Sequence, residues 1–266
     1  MPAMLLLKLT LAPLLVAAAT LVTRTWGPRV GGLLMGLPLT TGPIFLFLAI
    51  DHGPRFAARA TVGILCGLIG LAAFAVGYVA ASGRAGWRRS YPFAAVLFLV
   101  VSIVASRLGD DVIVAGPAAW LALVLATVLI PRPRRDIVGV APPWWDLWVR
   151  MAVVAALTLA LTAVAGTLGP TLSGIVGTYP IALTVIVTFT HAQLGRDAIV
   201  AMLRGSTLAW TGFASCFLVI GVSIEALGIS ASMGLGGLAA VVTSALVLWI
   251  DRGLARTALR RAVREL

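Results

Sequence analysis

Two stretches of the chain place hydroxyl groups beside a proline in the middle of an apolar run. One reads Gly31-Gly32-Leu33-Leu34-Met35-Gly36-Leu37-Pro38-Leu39-Thr40-Thr41-Gly42-Pro43, and the other Gly174-Ile175-Val176-Gly177-Thr178-Tyr179-Pro180-Ile181-Ala182-Leu183-Thr184. A proline inside a helix removes an N–H and frees a carbonyl, and in lipid that carbonyl must find another donor. Each proline lies about seven to ten residues into its run, which at 1.5 Å per residue is about 10–15 Å deep, near the centre of a bilayer. Pro38, Thr40, Thr41, Thr178, Tyr179, Pro180 and Thr184 are therefore the candidate substrate-facing residues. They would offer neutral donors and acceptors around a broken helix. The plainer alternative is a simple kink in which each threonine bonds its own helix, and the occurrence of two such segments weighs against it.

Ionisable groups inside a membrane are functional candidates by default. Asp51 and His52 end the run that holds Pro38, and His191 ends the run that holds Pro180. A histidine near a carboxylate can relay protons, so these three are the candidates for ion or proton coupling; the alternative is that they are interfacial groups at helix ends. Arg59 and Arg204 lie a turn or two inside the runs that follow. They would either snorkel to the surface or present a charge to an anionic group. Glu225, near the end of its run, is expected to be solvated. The chain contains no H-E-x-x-H, no G-x-S-x-G, no P-loop and no Cys/His cluster, and Asp110-Asp111 has no second carboxylate at membrane depth. The expectation is that the protein is not an enzyme and needs no metal and no cofactor. Cys66 and Cys216 each sit inside an apolar run and read as small buried hydrophobes.

The elements that must position these residues are transmembrane helices. Of the 266 residues, 61% are hydrophobic and 11% charged, against roughly a quarter charged in a soluble domain. Apolar runs of about 20 residues, long enough to cross about 30 Å of hydrocarbon, recur along the chain. Nine spans are expected, at 5–22, 31–50, 56–81, 91–107, 112–131, 149–167, 171–191, 198–227 and 231–250. The first run also has features of a cleaved leader, but its counterpart later in the chain favours a span. The net charge of +11 does not point to nucleic acid, because the basic residues fall mostly in short loops. With the C-terminus in the cytoplasm, sixteen of the twenty basic residues lie inside, while Lys8, Arg55, Arg59 and Arg107 lie outside. That imbalance sets the N-terminus outside and the C-terminus inside, in a cell membrane of the bacterial inner-membrane type. The tail from Asp251 to Leu266 carries Arg252, Arg256, Arg260, Arg261 and Arg264 and reads as a basic helix against anionic headgroups. Trp26, Trp87, Trp144, Trp145 and Trp148 sit at span edges, as an aromatic belt would.

The chain also repeats itself. Gly27-Pro28 falls on Gly169-Pro170 at an offset of 142, and without a gap Gly32 falls on Gly174, Pro38 on Pro180, Phe47 on Phe189, Gly53 on Gly195, Gly63 on Gly205 and Gly70 on Gly212. The same offset places Lys8 on Arg150. Spans one to four then correspond to spans six to nine, and the odd fifth span makes the second copy cross the membrane the other way. The expected organisation is a first membrane repeat at 1–107, a linking helix and loop at 108–142, a second repeat at 143–250 and the basic tail at 251–266. The fold class is thus an all-α polytopic membrane protein of about nine helices in two inverted four-helix repeats. Inverted repeats with matched interrupted helices are the architecture of many secondary transporters.

The run at 31–43 resembles the second helix of the small four-helix GlpM-type membrane proteins, and the stretch from Pro180 through His191 to Gly195 is similar. The whole arrangement resembles the drug/metabolite transporter superfamily, whose short members pair antiparallel and whose longer members carry fused inverted halves. The resemblance covers spans one to four and six to nine and implies a transporter. One departure matters: spans one and six hold no acidic residue, whereas the four-helix multidrug exporters use a glutamate in their first helix. That argues against organic cations and toward a small neutral or anionic solute moved by alternating access. A lipid or lipid-linked flippase or scramblase in envelope assembly is the alternative, and a membrane scaffold, which gains nothing from matched broken helices, is the third reading. The expected partners are the lipid bilayer, a small-molecule or lipid substrate and, as an option, a second copy in a homodimer.

Overall fold

The computed structural model describes residues 10, 14, 17–18, 20–27, 41, 45–46, 49–50, 53–83, 86–109, 111–132, 145–165 and 179–264, with the backbone alone described at 108, 157–165, 182, 252 and 254–264. Among these residues the structure is all-helical. Helix α1 spans Pro54–Ser82, α2 Trp87–Ala105, α3 Val112–Leu129, α4 Asp146–Ala165 and α5 Ile181–Arg264, with one 3-10 turn at Ser106–Leu108 after α2. A helical stretch at 20–26 precedes them. The nine expected spans are therefore not nine separate helices among the described residues. The first two expected spans are described only in part, and the last three meet in α5.

Local chemistry sets the boundaries. α1 starts with Pro54 after Gly53, whose φ of 83° and ψ of 171° suit glycine alone. Pro54 costs no hydrogen bond there, because the first N–H groups of a helix have no partner within it. The carboxylate of Asp111 accepts from the Ile113 N–H at 2.8 Å and caps α3. In α5 the backbone leaves helical geometry at Gly195 (φ 77°, ψ −169°) and at Gly228 (φ 77°, ψ 176°). These two glycines divide α5 into the segments 181–194, 196–227 and 229–264.

The middle segment forms the core. Every residue from 198 to 214 is buried, so neighbours enclose this helix on all sides. Its hydroxyls turn back on their own backbone: Thr207 Oγ1 donates to the Arg204 carbonyl at 2.9 Å and Thr211 Oγ1 to the Leu208 carbonyl at 2.6 Å. Phe217 packs edge-on against Phe45, centroids 5.2 Å apart. Cys66 and Cys216 are free and buried, and Cys66 donates to the Ala105 carbonyl at 3.5 Å.

Small residues let two helix pairs approach closely. A Cβ added at Gly70 in α1 would lie 2.0 Å from Ser102 Oγ and 2.9 Å from the Phe98 carbonyl oxygen of α2. A Cβ added at Gly212 would lie 2.0 Å from Ser244 Oγ and 2.7 Å from the Ala240 carbonyl oxygen. Such close backbone contact is how membrane helices associate without a hydrophobic driving force.

The outward faces are apolar. Val96, Val100 and Val104 on α2, Leu121, Leu125 and Val128 on α3, and Leu238, Val242 and Leu246 on the 229–264 segment are all exposed, at helical spacing. Contiguous apolar faces of this extent are unstable in water and at home in lipid. Pro54–Ser82, Trp87–Ala105, Val112–Leu129 and the twice-broken Leu183–Asp251 stretch are long and apolar enough to cross a membrane. The chain is accordingly a helical protein suited to membrane embedding.

Candidate functional site

Helix α5 begins at Ile181, halfway through the apolar run 171–191. Tyr179 and Pro180 precede it in non-helical backbone, and the Thr184 N–H donates to the Pro180 carbonyl at 2.9 Å to close the first turn. Pro180 thus stands where its missing N–H costs nothing.

The Tyr179 hydroxyl is held from two directions. It shares a 2.7 Å hydrogen bond with the Tyr91 hydroxyl of α2 and accepts from Thr184 Oγ1 at 3.4 Å. Phe98 of α2 meets the Tyr179 ring edge-on, centroids 5.4 Å apart. One and two turns further along, Thr188 Oγ1 donates to the Thr184 carbonyl at 2.8 Å, and His191 Nδ1 shares a 3.1 Å hydrogen bond with the Tyr78 hydroxyl of α1. The spacing 184, 188, 191 places all three on one helical stripe. The result is a seam of hydroxyls and one imidazole between α1, α2 and the first segment of α5, with no fixed charge in it among the described residues. Such groups both donate and accept, so they can bind a neutral polar solute or pass a proton.

A charged cluster closes one end of this region. Asp146, the first residue of α4, is fully buried. Its Oδ2 accepts from Arg24 Nη2 at 2.7 Å and from Arg150 Nε at 2.9 Å, and its Oδ1 accepts from Gln193 Nε2. Arg150 also donates to Gln193 Oε1 at 3.0 Å and lies over the Phe189 ring at 4.8 Å. Burial alone would raise the Asp146 carboxyl, but the Arg150 charge and the hydrogen bonds from Gln193, Arg150 and Arg24 outweigh it and hold the group below the ordinary aspartate range. Asp at the first turn of a helix also faces the positive end of its dipole.

A second cluster serves α3. Arg204 is buried, and its Nη1 donates to the carbonyls of Thr127 at 2.5 Å and Ile130 at 2.8 Å, while Nη2 donates to Asp251 at 2.8 Å. The last carbonyls of a helix lack partners within it, and Arg204 supplies them. Arg132 stands 3.8 Å from the same carboxylate.

The structure brings Tyr179, Pro180 and Thr184 together and puts His191 on their stripe. Thr41 is helical and half-buried, whereas Pro38, Thr40, Thr178, Asp51 and His52 lie outside the described residues. Arg59 is exposed on α1, and the Arg204 guanidinium is spent on protein acceptors. Sequence reasoning missed Tyr78, Tyr91, Asp146 and Gln193. The i, i+4 spacing of Asp146 and Arg150 was a usable signal, because such pairs meet on one helix face. Among the described residues no group of three His, Cys, Asp or Glu side chains is placed to hold a metal ion. Comparisons with protein-family models, with curated proteins and with solved structures return no match.

Proposed function

We propose that the chain is a secondary transporter that moves a small neutral or anionic solute by alternating access, with the Tyr179–Pro180 break as part of the path. The observation that carries this reading is the helix that starts at Ile181 inside an apolar run, with a tyrosine hydroxyl held between Tyr91 and Thr184 at the break. A break at membrane depth leaves backbone polar groups that a lipid-facing helix could not tolerate, and it is stable where it lines a cavity or is buried in protein.

Paired features support the further proposal of two inverted copies within about nine spans. The close contact of Gly70 with Ser102 and Phe98 and that of Gly212 with Ser244 and Ala240 are related by the offset of 142 at every position. The positive-φ glycines Gly53 and Gly195, each just before a long helical segment, are related by the same offset. So are Gly86, which precedes α2, and Gly228, which precedes the last segment of α5. A duplicated transporter would inherit its packing pairs and its breaks together. The expected setting is the inner-membrane type of cell membrane, with the C-terminus inside. The lipid flippase or scramblase remains the second reading; of its two headgroup-depth arginines, Arg59 is the exposed one.

Uptake into proteoliposomes under an imposed proton gradient, across a panel of neutral and anionic solutes, tests the transporter. Gradient-driven flux is expected, and Pro180→Ala and Tyr179→Phe should each lower it by about tenfold or more, the scale of a lost hydrogen bond or break geometry at a binding site. Absence of flux across the panel, or full activity of the Pro38→Ala/Pro180→Ala double variant, would overturn the reading. A fluorescent-lipid flip assay on the same liposomes separates the flippase.

A further inference from the structure

The Arg24–Asp146–Arg150 cluster sets two guanidinium groups against one carboxylate, so it carries one positive charge in excess. Asp146 is fully buried and Arg150 is 4% exposed. Arg24 is 27% exposed, yet its Nε is buried and has no hydrogen-bond partner. A buried donor without an acceptor is costly and an excess positive charge in a mostly buried cluster is too, and an anionic group that draws Arg24 to it would relieve both. The arginines are not equivalent in this respect. Arg150 is fixed on Asp146, Gln193 and the Phe189 ring, whereas Arg24 touches Asp146 through Nη2 and keeps Nε free.

The surroundings say where such an anion would come from. Trp26, two residues beyond Arg24, is 70% exposed, and Trp145 and Trp148, on either side of Asp146, are 46% and 65% exposed. Exposed tryptophans cluster at the boundary between hydrocarbon and headgroups, because the ring is apolar and its N–H needs a polar partner. Three of them around one cationic cluster put that cluster at headgroup depth.

We propose that Arg24, backed by Arg150, binds the phosphate group of an anionic phospholipid. Arginine suits the task because its planar fork makes charge-assisted hydrogen bonds to phosphate oxygens. With the partly exposed Arg24 side chain turned toward it, the bound phosphate accepts from the guanidinium and balances the second positive charge, completing a cluster that ties the helical stretch at 20–26 to α4 and to α5 through Gln193. The site does not depend on the transport reading and stands or falls separately from it.

Native mass spectrometry of the purified full chain tests the site, with phosphatidylglycerol, phosphatidylcholine and inorganic phosphate as probes and thermal unfolding read in parallel. The wild type is expected to retain phosphatidylglycerol over phosphatidylcholine by about fivefold or more, and to unfold at a higher temperature with it, as charge-assisted binding requires. Arg24→Gln leaves Asp146 and Arg150 paired one to one and should bring the two lipids within about twofold. Arg24→Lys, which keeps the charge and loses Nε, should fall between, and it serves as the readout if the glutamine variant does not fold. Stabilisation by inorganic phosphate equal to that by phosphatidylglycerol would overturn the lipid assignment and make the ligand a soluble phosphate. Equal retention of both lipids by the wild type, or an unchanged preference in both variants, would overturn the site itself.

Discussion

A carboxylate that accepts from two guanidinium groups and a carboxamide loses all three partners' favour when it takes up a proton. Asp146 is in that position, and its carboxyl sits below the ordinary aspartate value. The sign follows from linkage: a group whose pKa is depressed by folding adds stability that is complete above its unfolded value, about 3.9, and is lost as pH falls through the lower folded value. Asp146→Asn should therefore lower the unfolding temperature by a constant amount between about pH 5 and pH 8, and the gap to wild type should close below about pH 4. A gap that already closes near pH 6 would mean that Asp146 is not the titrating partner. At this scale the sequence was partly legible. Tyr179 and Thr184 could be singled out because Pro180 marks their position. Tyr91 and Tyr78 could not: their partners lie 88 and 113 residues away, and a lone hydroxyl in an apolar run has no periodic signature. Arg24 was visible only as a loop charge, since its pairing with Asp146 across 122 residues is decided by tertiary packing.

Helix boundaries were more legible than helix partners. Expected spans 56–81, 91–107 and 112–131 correspond to α1, α2 and α3, because apolar runs and their flanking Gly, Pro and Asp residues act locally. The last two expected spans, 198–227 and 231–250, fall on either side of Gly228, and the first of them starts just beyond Gly195. What the runs could not indicate was which faces meet. That depends on where a missing side chain lets backbones close up, as at Gly70 and Gly212. Alanine at either position would meet a hydroxyl at 2.0 Å and a backbone carbonyl behind it, within 2.9 Å at Gly70 and 2.7 Å at Gly212. A carbonyl in a packed helix cannot swing aside, so each substitution should cost about 1–3 kcal/mol by overpacking. Gly63 is the control: on α1 a Cβ there meets nothing within 4 Å. Gly63→Ala should be neutral or stabilising by up to about 1 kcal/mol, since glycine is unfavourable inside a helix. Thermal unfolding with a thiol-reactive dye can read all three, because Cys66 and Cys216 are buried until the fold opens. Equal effects at Gly63 and Gly70 would mean that the close contact is not what holds α1 to α2.

The contacts also bear on how the whole chain lies in a bilayer. Tyr78 meets His191, Arg204 meets Thr127, Ile130 and Asp251, and Asp146 meets Arg24 and Gln193. The charge-bias reading puts all of these near one membrane surface. Near the other, a Cβ at Gly221 would meet Thr61 and Val112, and Cys66 bonds Ala105. The contacts keep these two groups of residues apart. A fold can be inserted either way up, and the arginine imbalance is what would choose the cytoplasmic surface. α2 offers the direct measurement, with an exposed arginine near each end, Arg89 and Arg107. Single Arg89→Cys and Arg107→Cys variants can be made in the native background, since both native thiols are buried. A membrane-impermeant maleimide applied to intact cells should label the Arg107→Cys protein, and should reach Arg89→Cys only after permeabilisation. The reverse pattern would invert the assigned orientation and leave the helix packing untouched. Labelling of both variants in intact cells would mean that α2 does not cross the membrane, and the nine-span reading would fall with it.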